Sequence, residues 1–245
     1  WAYFDEAWKK VIERFFPHFL RFFVPELYED VDFSRRFTFL DKEMEQLSQQ
    51  SLKGSKVADK LVKIFLKNGS EQWILVHIEV QGDEEEDFPR RMFRYFYRIF
   101  DRHGQPVVSI ALLTGPTGWT PEEKYHLKRY NSGVEFQYLG FHLMKDYSRE
   151  QLEADENPLA IVVLAAQERE RLRRRSRGRY DAKWYLIRKL YERGYSRKEI
   201  LDLFEFIDWV IQLSHPEAER LWEEIRILEE VNQMPYITSV ERIGR

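Results

Sequence analysis

The stretch Val76-His77-Ile78-Glu79-Val80-Gln81 alternates strictly between aliphatic and polar residues. In an extended chain, successive side chains leave on opposite faces, so Val76, Ile78 and Val80 share one side and His77, Glu79 and Gln81 the other. Burying three polar groups without partners costs roughly 1–3 kcal/mol each, and more for an ionised Glu. Such a row therefore borders a cleft, binds something, or is satisfied by polar neighbours. Upstream, Val57 to Lys67 is dense in Val, Ile, Leu and Phe and is interrupted by Asp59. With Asn68-Gly69-Ser70 as a turn, Val57 to Lys67 and Gln72 to Gln81 read as a β-hairpin that carries Asp59 beside the later strand.

The elements around this hairpin follow from periodicity and punctuation. Residues 1–35 hold Phe15, Phe16, Phe19, Leu20, Phe22 and Phe23 broken by Pro17 and Pro25, the pattern of short helices lying on a core. A helix is expected from Asp41 to Gln50. A second, from Asp87 to Phe100, has Phe88, Met92, Tyr95 or Phe96, and Ile99 on one face and Arg90, Arg91, Arg94 and Arg98 mostly on others. Pro106 to Leu113 reads as a buried strand. Thr120-Pro121-Glu122-Glu123 has the form of a capping box opening a short helix that ends near Asn131-Ser132-Gly133, and Val134 to Leu143 reads as a final strand. The order helix, strand, strand, helix, strand, helix, strand predicts an α/β core with a mixed sheet covered by helices.

From Asn157-Pro158 onward the signals are helical: Asn157 as an N-cap, Asp181 before the Trp184, Ile187, Leu190, Tyr191 stripe, Gly194 as a stop, then Ser196 with Glu199 and Ser214 with Glu217 as capping boxes. The stripes Ile200, Phe204, Ile207, Ile211 and Ala218, Leu221, Ile225, Leu228 each need a surface to pack on. The expected division is a core over 1–156, including the N-terminal helical segment, and a helical region over 157–245.

Composition removes several classes. With 43% hydrophobic residues there is material for a sizeable core, and without Cys there are neither disulfides nor zinc–cysteine sites. Any metal must sit on carboxylates, carbonyls or His. No apolar run approaches the roughly 20 residues that span a bilayer and no export signal precedes the core, so a cytoplasmic location without membrane association is expected. Net charge is −3, so contact with nucleic acid would come from local patches. The start at Trp1 and the end at Ile243-Gly244-Arg245 suggest a stretch trimmed from a longer polypeptide.

Two acids on neighbouring strands have a chemical reason to meet. A hard cation such as Mg²⁺ or Mn²⁺ takes oxygen ligands, and Asp59, Glu79, the carbonyl of Val80 and several waters would satisfy it. Such an ion acidifies a bound water and stabilises charge in phosphodiester hydrolysis.

Val57-Ala58-Asp59-Lys60-Leu61-Val62, Leu75-Val76-His77-Ile78-Glu79-Val80-Gln81 and Arg90-Arg91-Met92-Phe93-Arg94-Tyr95 together resemble the recombination-promoting nuclease and transposase family of the PD-(D/E)xK superfamily. Phe39-Leu40-Asp41-Lys42-Glu43 and Met234-Pro235-Tyr236-Ile237-Thr238-Ser239 extend the resemblance over most of the chain. It implies a restriction-endonuclease-like core, a divalent-metal-dependent DNA endonuclease, and Asp59, Glu79 and Gln81 as the motif's first acid, second acid and Lys position. Ala58 stands where the motif has Pro, which shapes backbone rather than chemistry. Gln81 replaces the Lys. An amide orients water by hydrogen bonding but neither neutralises charge nor accepts a proton, although Gln is a variant known in this family.

Several residues are accessory candidates. Lys63, on the strand face of Asp59, or Arg91, on the following helix, would supply a compensating cation. Glu43 is either a third carboxylate or a solvated helix residue. Arg91 and Tyr95, one helical turn apart, either hold a phosphate or brace Glu79 or Gln81, or are an ordinary surface Arg and a packed Tyr. His77 is more readily a hydrogen-bonding neighbour of the site than a ligand. Arg169 to Arg179 contains seven Arg; Arg173, Arg174, Arg175 and Arg177 are candidates for phosphate contact, against a charged helix end running into a linker. Two other readings stay open: a nuclease-derived nucleic-acid-binding or interaction module without turnover, and an assembly subunit forming a homo-oligomer through its helical region.

Overall fold

A computed structural model describes residues 2–40, 42, 58–79, 88–105, 107–115, 120–173, 175, 177–234 and 236–238, with the backbone alone at 2, 3, 5, 58, 59 and 75–79. The chain divides into two compact units, one of residues 1–9 and 19–147 and one of residues 10–18 and 148–245.

The first unit is α/β. Its strands are β1 (Thr38–Phe39), β2 (Ala58–Phe65), β3 (Glu71–Glu79), β4 (Val107–Leu113), β5 (Lys124–Arg129), β6 (Ser132–Gln137) and β7 (Leu139–His142). A mixed five-stranded sheet runs β1-β2-β3-β4-β7, so β3 is central as the polar row requires. The β2–β3 hairpin turns where Asn68-Gly69 demands: Gly69 has φ +86°, and the Asn68 carboxamide oxygen accepts from the Ser70 N–H at 2.9 Å and its hydroxyl at 2.6 Å. Strands β3 and β4 are parallel, and the crossover between them is the helix over Phe88–His103. Strand β4 is buried on both faces from Ser109 to Leu113, as a strand covered on both sides must be.

Helices α1 (Ala2–Arg14), α2 (Phe16–Phe23) and α3 (Pro25–Asp30) precede the sheet, and the helix over Phe88–His103 is α4. Helix α4 covers one sheet face. Its Tyr95 and Ile99 pack on Leu61 and Trp73, while Phe88 and Met92 pack with Ala111, Leu113, Phe136 and Tyr138. The opposite face presents Val62, Ile64, Ile74, Ile110 and Leu112, all fully buried. On β7, Phe141 meets Phe23 of α2 at 5.1 Å between ring centroids.

Two expectations fail between 120 and 143. The segment opened by Thr120-Pro121-Glu122-Glu123 is no helix but the hairpin β5–β6, with Lys124 paired to Gln137 and Arg129 to Ser132. Local capping chemistry lost to pairing: Tyr125 stacks on Phe93 of α4 at 5.0 Å, and its cross-strand partner Phe136 lies 4.9 Å from Phe96. The single strand expected from Val134 to Leu143 is two, β6 and β7, in different sheets. They part at buried Tyr138, whose hydroxyl donates to the Glu122 carbonyl at 2.7 Å. The helix expected over 41–50 lies outside the described residues, apart from Lys42.

The second unit is helical: α5 (Arg149–Ala154), α6 (Pro158–Arg171), α7 (Arg179–Glu192), α8 (Arg197–Val210) and α9 (His215–Asn232). The expected punctuation is in place. Asn157 caps α6 through Leu159 N–H, Ser196–Glu199 and Ser214–Glu217 form reciprocal capping boxes, and Gly194 takes φ +66° after α7. Helix α7 begins at Arg179 behind Gly178, slightly ahead of the Asp181 signal. Residues 148–156, assigned above to the core, pack here: Ser148 and Gln151 cap α5, and Arg149 pairs with buried Glu168 of α6 at 2.8 Å. Every residue from Pro158 to Ala166 is buried, which makes α6 the centre of this unit.

Residues 10–18 join this unit through charge. Glu205 of α8 accepts from Lys10 at 3.0 Å and Arg14 at 2.5 Å, and Arg14 also meets Asp202 at 3.1 Å. Burial pushes the Glu205 carboxyl up, but the Arg14 and Lys10 hydrogen bonds more than offset this and leave it below its ordinary value. Asp202 goes the other way, raised by burial that Arg14 only partly offsets. A lowered carboxyl contributes stability above its unfolded value near 4.5 and loses it as pH falls through the folded value. Glu205→Gln is therefore expected to cost about 1 kcal/mol or less at neutral pH, since the pair is partly solvated, and progressively less in acid as the carboxyl protonates. Urea denaturation of both proteins across a series of pH values from neutral into acid reads this difference.

Candidate active site

The site proposed by the polar row is built on the β2–β3 ladder. Asp59 lies directly opposite His77, and Ala58 opposite Ile78. Directly paired residues of an antiparallel ladder share a face, and positions two apart on one strand share it too. Positions 59, 77 and 79 therefore occupy one face of the sheet, with 59 and 79 on a cross-strand diagonal of about 7–8 Å. Two acids on such a diagonal can reach a common ion with oxygen ligands.

The same parity identifies the face. Leu61 and Trp73 are two positions on from Asp59 and four from His77, and both pack under α4. The acid positions thus belong to the α4 side of the sheet. Glu79 is registered with Leu113, which packs with Phe88 and Met92 in the first half of α4. The helix is in turn aimed by its apolar spacing, with Phe88, Met92, Tyr95 and Ile99 turned to the sheet.

The remaining candidates separate. Arg91 is half-buried near the start of α4, its guanidinium centred 5.2 Å from the Phe88 ring, and its charge pulls down on a Tyr138 hydroxyl that burial otherwise raises. Tyr95 is 4% exposed within the cluster of Leu61, Trp73 and Ile99, which is the packed-Tyr alternative. Lys63 shares the face of Asp59 but lies four residues along the strand, about 13 Å away, with its ammonium 3.9 Å from Glu71 at the turn end. Glu43, Val80 and Gln81 lie outside the described residues. Among the described residues no three His, Cys, Asp or Glu side chains come together as a metal-holding group, and the side chains at 59, 77 and 79 are not in that set.

The Arg-rich tract straddles the end of α6 and the link to α7. Arg171 pairs with Glu168, Arg173 lies 3.5 Å from Glu170, and the Arg175 carbonyl accepts from Arg179 at 3.2 Å. Arg173, Arg175 and Arg177 are exposed, and Arg174 lies outside the described residues. This geometry fits the charged helix end running into a linker.

One residue in the cross-sheet row of Glu79 escaped sequence reasoning. Glu79 pairs with Leu113 and Leu113 with His142, so His142 sits two strands over, at about 9–10 Å, on the same face. Burial lowers its imidazole, with Asp146 pulling the other way, so it is held toward the neutral form. Its signal was hidden because β7 was read as the tail of a longer strand, which leaves its register unset. No family model matches the chain, nor does any curated protein or solved structure. Among the described residues, no helix is long and apolar enough to cross a membrane.

Proposed function

We propose that the first unit is a PD-(D/E)xK-type nuclease core of the recombination-promoting nuclease and transposase kind, which hydrolyses phosphodiester bonds in DNA with Mg²⁺ or Mn²⁺. The observation that carries this reading is the ladder register: Asp59 opposite His77 puts positions 59 and 79 on one face of a central hairpin, the face on which α4 packs. The donor set suits a hard divalent ion, because it offers two carboxylates and a backbone carbonyl and no thiolate. When bound, the ion would supply an acidified water and stabilise charge on the phosphate. Asp59 and Glu79 would hold it with the Val80 carbonyl. Gln81 would orient the attacking water by hydrogen bonding, and Arg91 would hold a phosphate oxygen by charge.

Gln81 supports one second reading, a module that keeps a nucleic-acid groove without turnover, because an amide at the Lys position contributes no charge. Incubating the purified chain with supercoiled plasmid separates the two. Nicking with Mg²⁺ or Mn²⁺, absent in EDTA, is the expected result; binding without nicking at any divalent ion would establish the module instead.

A further inference from the structure

Helix α4 and the β5–β6 hairpin concentrate positive charge in a chain that lacks it overall. Residues 88–103 and 124–137 carry eight Lys and Arg against two acids, Asp101 and Glu135. That is a net of +6, whereas the chain as a whole is at −3 and the remaining residues therefore at −9. On the hairpin, Lys124, Lys128 and Arg129 are exposed, and Glu135 faces His126 across the ladder at 3.3 Å.

The apolar side of the hairpin does not end where α4 does. Tyr125 and Phe136 pack on Phe93 and Phe96, and by parity Leu127 and Val134 continue that face toward the tip at 52% and 37% exposure. On α4, Tyr97 and Phe100 are likewise exposed, and Phe100 stacks parallel to Phe96 at 6.1 Å. At the tip stands Tyr130, 96% exposed and held at φ 53°. A two-residue hairpin turn accepts Gly or Asn at left-handed positions with little strain, whereas a bulky aromatic there is uncommon. Folding alone would not favour a tyrosine with so little packing in that conformation.

We propose that the β5–β6 hairpin is a nucleic-acid-gripping arm: Tyr130 stacks on an unpaired base while Lys128 and Arg129 beside it, and Lys124 at the base of the strand, engage the phosphate backbone. An exposed ring flanked by cations is the arrangement by which single strands are held without sequence preference. The arm's positive charge is complementary to a polyanion, which favours a nucleic-acid strand over an apolar protein surface as its occupant. The proposal rests on the reading of the chain as a nucleic-acid protein, but not on cleavage.

The test is fluorescence anisotropy of a labelled single-stranded DNA of about 20 nucleotides, enough to span a site of this kind, titrated with the full chain in EDTA so that no cleavage intervenes. Wild type is expected to bind with marked salt dependence. Tyr130→Gly should weaken binding about tenfold while keeping or raising the thermal midpoint, because Gly takes the left-handed conformation freely. The double variant Lys128→Glu/Arg129→Glu should weaken binding further and flatten the salt dependence. Lys198→Glu, on an exposed position of the helical unit, should bind as wild type. Wild-type affinity in both arm variants overturns the proposal while leaving the nuclease reading to the plasmid assay. Absence of single-strand binding by wild type also overturns it, and metal-dependent nicking in that case would keep the nuclease reading alone. A concentration-dependent dimer that Tyr130→Gly dissolves, without nucleic-acid affinity, overturns it in favour of a protein interface.

Discussion

Alanine at position 59 or 79 should abolish metal-dependent nicking of plasmid DNA, a loss of about a thousandfold or more, and leave the fold intact. Removing either carboxylate takes away a charged ligand of the proposed ion, and with it the acidified water and the charge stabilisation without which phosphodiester hydrolysis is so slow. Each substitution is a truncation at the α4 end of a ladder whose pairing is made by backbone groups, so the thermal midpoint should change little. The informative companion is Gln81→Lys, which restores the charge of the superfamily motif and should preserve or raise nicking. If Asp59→Ala and Glu79→Ala nick as wild type does, the hydrolytic site lies elsewhere or does not exist.

The second large effect concerns Glu229, which is 2% exposed in α9. Its carboxylate accepts from the Tyr191 hydroxyl at 2.6 Å and from the backbone N–H groups of Tyr236, Ile237 and Thr238 at 2.9, 2.5 and 3.2 Å, and it also takes the Thr238 hydroxyl. Burial and this carboxylate together push the Tyr191 hydroxyl upward, so the phenol stays a donor. One side chain thus gathers the N–H groups of Ile237 and Thr238 and two hydroxyls, and adds to the bond that the Tyr236 N–H already makes to the Met234 carbonyl at 2.8 Å. Glu229→Ala removes the acceptor shared by these groups and is expected to cost roughly 3 kcal/mol, the range for losing a buried charged acceptor. Glu229→Gln should lose much of this too, because its NH₂ turns a donor toward donors. Thermal denaturation reads the stability, and limited proteolysis should show earlier cleavage after Gln233. Unchanged melting in both variants would mean that solvent replaces the carboxylate at no cost.

Much of the fold was legible because its signals were local and redundant. Alternation at 76–79, the Asn68-Gly69 turn and the apolar stripe of α4 each agreed with the structure that formed, as did the capping boxes at Ser196 and Ser214. The β5–β6 hairpin was not, since Thr120-Pro121-Glu122-Glu123 is good helix-start chemistry and only the rings of Phe93 and Phe96, some thirty residues away in sequence, favour a strand. Missing that hairpin merged β6 with β7 and concealed both His142 and Tyr130. For the site itself, the sequence could align Asp59 with the later strand but not choose the rung. A slip of one residue would have put the two acids on opposite faces, and the observed ladder puts them on one.

Over Pro158 to Ala166 helix α6 has no flank to offer water, since every one of these residues is buried. Of the helices packed on it, α5 precedes it, but α7 and α8 follow it in the chain, so a ribosome adding about 5–20 residues per second leaves much of this greasy rod uncovered for a few seconds. Deleting α8 alone would leave the rod half-clothed. Removing α7 and α8 while keeping α6 should therefore leave an aggregation-prone rod, and nascent chains stalled between 172 and 210 should be the ones that chaperones hold and that clump when chaperones are scarce.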